Sequence, residues 1–147
     1  MREIVLKQAM DVALSRLSDD NSLFLTPEHL LLIFLGDSSV RILLAGLNIA
    51  PEVLTEMVKE YVNGLPRSKG RVLQPIFSWG FPGFKARLAE MGLDWKEGHR
   101  VSALHFLEAY AHCNSLDSVI PPCMPGLVLG QRYQDIELAV YGHFPKH

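Results

Sequence analysis

The residues in this chain whose types could do chemistry are His105, His112 and Cys113, a set that suggests a zinc site or a cysteine nucleophile with an imidazole base. Their spacing argues against both. Two histidines seven positions apart on one helix are separated by about 10.5 Å of axial rise, too far to share one zinc easily. A thiol–imidazole pair for acyl transfer also needs an orienting third group and oxyanion donors, and no local signature supplies either. Nor does the sequence contain Gly-x-x-x-x-Gly-Lys-Ser/Thr, the loop that cradles a triphosphate. Cys113 and Cys123 are too few for a disulfide framework and read as reduced thiols. The expectation is a chain with no catalytic residues, no metal site and no cofactor.

The helix that would carry His105 has a counterpart 76 residues upstream. Ser102-Ala103-Leu104-His105-Phe106-Leu107 lies over Thr26-Pro27-Glu28-His29-Leu30-Leu31, and the same offset, without a gap, puts Ala89 on Ala13, Leu93 on Leu17, Val101 on Leu25 and Tyr110 on Phe34. Such a repeat is sought early because it sets the architecture. Thr26 is a natural N-cap whose hydroxyl accepts from the amide of the third helical residue. Pro27 suits the first helical position, and Glu28 the positive end of the dipole. Residues 30–35 leave no polar face, so this helix is expected at the centre of a helical domain. Ser102 caps the second central helix, where His105, Glu108 and His112 make a less apolar copy. The dipole disfavours added positive charge at both helix starts, so His29 and His105 are expected to be neutral, hydrogen-bonded and structural.

These residues carry a family resemblance. Thr26-x-Glu28-His29-Leu30-Leu31-Leu32, preceded by Ala9-x-x-x-Ala13 and followed by Leu43-Leu44-x-Gly46-Leu47, resembles the N-terminal domain of Clp-type AAA+ unfoldases. Specific motifs cover residues 2–62, and a looser match at Ser102, His105 and Leu107 covers 84–120. The resemblance implies an all-α fold of two pseudo-symmetric four-helix repeats forming one domain, the second repeat degenerate, which captures adaptors or substrates and has no ATPase of its own. In some such domains the glutamate of this stretch, present in both repeats, receives phosphorylated arginine. Here Glu28 fills the first position and Leu104 the second, so the pair is broken.

At 147 residues, 48% hydrophobic and 20% charged, the chain is one domain's worth, enough to bury roughly 68–70% of its unfolded surface. A formal charge of −2 argues against a general binder of nucleic acid or anionic membrane. The longest apolar run, six residues from Leu30, cannot span a bilayer. Arg2, Glu3, Lys7 and Asp11 make the start unlike a secretory signal, so a cytoplasmic location is expected.

Residues 2–17 place Leu6, Ala9, Met10, Ala13, Leu14 and Leu17 on one helical face, and the alanines keep that face low enough for the central helix to approach. A loop is expected at 18–22. A short third helix holds Val40, Leu43 and Leu44, with Gly46 expected to turn the chain left-handed, and residues 51–63 form a fourth. Repeat one therefore spans about 2–64, a linker 65–80, repeat two about 81–120 and a divergent tail 121–147. The connecting stretch carries Arg67, Lys69 and Arg71 and, after them, Phe77, Trp79 and Phe81; its basic residues read as a solvated cluster, and its aromatics as a cap on the core ahead of the lining of a peptide groove. A helix is expected over 82–91. Residues 131–141 fit a helix or an alternating strand, and helix is favoured.

The expected function is a protein-binding module that recognises adaptors or unfolded substrate segments for a Clp-type ATPase. Glu28, Trp79, Phe81 and Trp95 are the candidate contacts, on a partly apolar surface between the halves. Thr26, His29, Ser102 and His105 are structural caps and core. The alternative is a stand-alone structural or regulatory subunit that docks onto an assembly through its tail.

Overall fold

Thr26 and Ser102 each start a helix by the same device. At Thr26, in extended backbone, the hydroxyl accepts from the His29 amide, while His29 Nδ1 accepts the Thr26 amide at 3.0 Å. This opens α2, Pro27–Phe34. At Ser102 the hydroxyl accepts from the His105 amide at 3.2 Å and His105 Nδ1 accepts the Ser102 amide at 3.2 Å, opening α6, Ala103–Cys113. A capping box ordinarily closes with Glu or Gln at the third position; here an imidazole does so twice. To accept from an amide, Nδ1 must keep its lone pair, so both rings are neutral, as expected. The less apolar sequence of α6 is covered about as fully as α2: residues 106 to 111 are all buried.

The computed structural model describes residues 4–20, 23–67, 76–77, 80–115 and 123–143. Lys69, Arg71 and Trp79 lie outside them. Helix α1, Leu6–Asp20, turns Leu6, Ala9, Ala13 and Leu17 inward and lies on α2. It starts later than the periodicity predicts, because Ile4 and Val5 are committed elsewhere. The Ile4 amide donates to Asp37 Oδ2 at 2.9 Å, and Val5 bridges Ser102. It also runs on through Asp20, into the expected loop. Asp37 caps α3, Ser38–Gly46, its Oδ1 accepting from the Ser39 and Val40 amides at 2.8 and 3.3 Å. Helix α4, Pro51–Asn63, buries Leu54 and Val58 and packs on α2.

Beyond α4 the strand β2, Ile76–Phe77, pairs in parallel with β1, Phe24–Leu25, an element the sequence periodicity does not show. The fold is otherwise all-α. Helix α5, Gly80–Glu90, leads into a 3₁₀ segment, Trp95–Arg100, bent at Glu97, and then α6. The tail, read as divergent, contains α7, Met124–Gln131, and α8, Tyr133–His143. These helices bury Leu129, Ile136 and Val140 against α6. The core centres on Phe106, whose ring centroid lies 4.5 Å from Phe34 and 5.1 Å from Phe84. Full burial of each such ring contributes roughly 1.5–3 kcal/mol. Among the described residues no single helix is long and apolar enough to cross a membrane.

Two helices end in paired 6→1 and 5→2 hydrogen bonds. After α5, Gly92 takes φ +79°, with Leu93 N donating to Leu88 O and Gly92 N to Ala89 O. After α3 the left-handed residue is not Gly46, which stays helical, but Asn48 at φ 61°, with Ile49 N donating to Leu44 O. The C″–C3 apolar pairs of these motifs, Ile49 with Leu44 and Leu93 with Leu88, join the core. Gly130 in α7 lies against the C-terminus of α6, where a Cβ would fall on the Asn114 carbonyl group. Gly130→Ala is expected to lower the melting temperature by roughly 5 °C or more, since backbone must move. Asn48→Gly, which only eases a left-handed residue, should leave it unchanged or raise it. Thermal unfolding followed by circular dichroism checks both.

Candidate functional site

An aromatic surface gathers where β2 meets α5 and the 3₁₀ segment. Ile76 and Phe77 are 58% and 41% exposed. The Phe77 ring rests on Phe81, with centroids 4.8 Å apart, and Trp95 meets Phe81 and Phe84 edge-on at 5.5 and 5.6 Å. Phe81 and Lys85 are one turn apart on α5, so they share a side of the helix. That places the Lys85 ammonium 5.3 Å from the Phe77 ring and 5.0 Å from Trp95. Phe81 itself is 1% exposed, so it backs this surface and is not available as the partner contact the sequence suggested. Trp95 is half-buried and stays on it, Phe77 takes the outer place, and Trp79 lies outside the described residues.

Glu28 is also interior, 7% exposed. The Tyr110 hydroxyl of α6 donates to its Oε2 at 2.6 Å, and Cys123 Sγ lies 3.7 Å from the same hydroxyl. Burial, reinforced by the Glu28 charge, pushes the Tyr110 phenol well up, Tyr61 up to about 12 and the Cys123 thiol up to about 11. Glu28 is thus a strut tying α2 to α6, with Leu104 buried at the offset position. A carboxylate so enclosed is not presented as a surface receptor.

The sequence reading missed the most enclosed charge. Glu108 on α6 is fully buried and accepts two bonds from Arg87 of α5, Nε to Oε1 and Nη2 to Oε2, both 3.1 Å. From α8, the Tyr141 hydroxyl donates to Oε2 at 3.1 Å, and the Tyr133 hydroxyl accepts from Arg87 Nη2 at 3.0 Å. The available signal was a glutamate set in the apolar run from Phe106 to Ala111. Its partner, 21 residues earlier, carried none.

His105, His112 and Cys113 do not converge on one centre. His105 Nδ1 closes the α6 cap, and the His112 ring stands edge-on to Tyr133 at 5.2 Å. Burial, partly opposed by Arg87, pushes the Cys113 thiol up to about 11, so it stays protonated at neutral pH. Among the described residues no group of three or more His, Cys, Asp and Glu side chains could hold a metal ion. No known family model matches the chain, and no curated protein matches it in sequence.

Burial holds the His105 imidazole below its ordinary value of 6.5. The unfolded chain then binds the proton more readily, so the contribution of this residue is complete above pH ~6.5 and lost as pH falls through the depressed folded value. The melting temperature should fall on acidification across that window. In His105→Gln, which can still close the cap, the slope should flatten, as a pH series of thermal melts will report. Arg87→Leu strands the Glu108 carboxylate and should cost roughly 3–5 kcal/mol in urea unfolding, most of it regained in the Arg87→Leu/Glu108→Leu double variant.

Proposed function

We propose that the chain is a non-enzymatic protein-recognition module, similar to the N-terminal domain of Clp-type AAA+ unfoldases, that holds adaptors or unfolded segments for such an ATPase in the cytosol. The observation that carries this reading is the surface of exposed Ile76 and Phe77 with half-buried Trp95, seated on Phe81 and Phe84. Aromatic anchors held rigid from beneath are the groups that contribute most to protein interfaces. Thiols kept protonated in Cys113 and Cys123 favour a binding role over a nucleophilic one.

The helix pairings favour the family reading. Helix α1 packs on α2 as α5 does on α6, α2 on α4 as α6 on α8, and α3 on α4 as α7 on α8. With both central helices opened by hydroxyl-and-histidine caps, this supports two repeats of four helices, α7 and α8 completing the second. The subunit alternative is favoured by a different feature, the exposed Met124, Leu127 and Leu138 on the outer side of α7 and α8. Removing these helices would strip Leu129, Ile136 and Val140 from the core, so point substitution is the informative test.

Titration calorimetry of the purified chain against a permanently unfolded protein and against a purified Clp-type ATPase should give micromolar binding to at least one. Trp95→Ala should weaken it about tenfold, and Leu138→Glu should not. Binding to neither overturns the proposal, and loss on Leu138→Glu alone turns it to the subunit reading.

A further inference from the structure

The geometry points to a ligand class for the Phe77–Trp95 surface: an acidic peptide segment in which an aromatic or long apolar side chain stands beside carboxylates. This rests on the protein-recognition reading and adds the charge of what is recognised. Lys85 carries the argument. Its ammonium lies over two aromatic rings at 5.0 and 5.3 Å, which biases an exposed side chain toward this surface. Among the described residues it makes no ion pair.

The acidic groups of the neighbouring elements make their contacts with groups other than Lys85. Glu90 pairs with Arg87 at 3.9 Å and Glu97 with Arg100 at 3.3 Å, while Asp94 Oδ1 accepts the Lys96 amide at 2.9 Å. Charge is also distributed unevenly along the chain. Seven of its fourteen basic residues but only three of its sixteen acidic ones fall within residues 65–100, so a stretch of positive excess sits in a chain of net charge −2. Ile76 and Phe77 supply exposed apolar area directly beside this cation. A neutral apolar segment would bury the rings and leave the ammonium desolvated, at a cost; a segment with a carboxylate at that place satisfies both. The overall charge disfavours a nucleic-acid backbone as the anion, because phosphate binding draws on many cations at once.

Fluorescence anisotropy tests this with the full chain and three labelled peptides of equal length. One places Phe and Leu among Asp and Glu, one among Ser and Gly, and one among Lys and Arg. The acidic peptide should bind tightest and weaken as salt rises. Lys85→Met should cost it about fivefold and Lys85→Glu roughly tenfold or more, with thermal melts showing the variants folded. Trp95→Ala should weaken the acidic and neutral peptides alike. Equal binding of acidic and neutral peptides, untouched by Lys85→Glu, would overturn the acidic class while leaving the recognition module standing. Failure of all three peptides alongside failure to bind an unfolded protein would remove both. A labelled oligonucleotide that binds when no peptide does would transfer the surface to nucleic acid and end the inference.

Discussion

The structure depends on how the first turns of α2 and α6 are satisfied. A helix covered on nearly all sides cannot leave its leading amides to water, and those amides have no partner within the helix. In both helices one hydroxyl and one imidazole close the circuit, the ring accepting from the capping residue and the hydroxyl from the third amide. The ring does this only while Nδ1 keeps its lone pair, so the imidazole half of each cap and a proton on Nδ1 exclude each other, while the hydroxyl half does not depend on the ring. Residues around the caps follow from this. Val5 and Leu6 join the chain at Val101 and Ser102 by backbone contacts, which places α1 beside the second cap as well as along α2.

Two buried carboxylates set the remaining geometry, and phenols serve both. Glu28 takes the Tyr110 hydroxyl from a helix 82 positions along the chain. Glu108 takes a two-pronged guanidinium and the Tyr141 hydroxyl, which orients α5 and α8 about α6. Enclosed pairs of this kind contribute modestly to net stability, because desolvation offsets most of the attraction. What they do is penalise every arrangement in which the partner is missing. Leucines and phenylalanines would tolerate several packings of these helices; the polar struts permit few.

Much of this was legible in the residues. Apolar spacing located α1, α3 and α4, the last to the residue, and hydroxyl-then-histidine marked both central helices. Proline and glycine misled where they sit in first turns. The helix expected from Pro82 begins two residues earlier, at Gly80, with Pro82 in the first turn where a missing amide costs little, and that places Phe81 on the helix and in the interior. Pro125 suggests a break and instead opens α7. Gly46 looks like a turn residue, but it is the last residue of α3, Leu47 caps the helix and Asn48 makes the reversal, with Ile49 N reaching Leu44 O. A two-residue parallel pairing has no period to detect. Long-range polar partners, Glu28 with Tyr110 and Glu108 with Arg87, leave no trace in local pattern.

The parallel pairing of Phe24–Leu25 with Ile76–Phe77 encloses three helices, α2, α3 and α4, between its two strands. Closing a loop of about 50 residues costs on the order of 3–4 kcal/mol in chain entropy, which two ladder positions alone do not recover. Compaction of the intervening helices must therefore come first. The strand that carries Phe77 is held only once the intervening helices have compacted, and the seat of its ring, Phe81, belongs to α5 further along, so a half-synthesised or locally melted chain displays no such face.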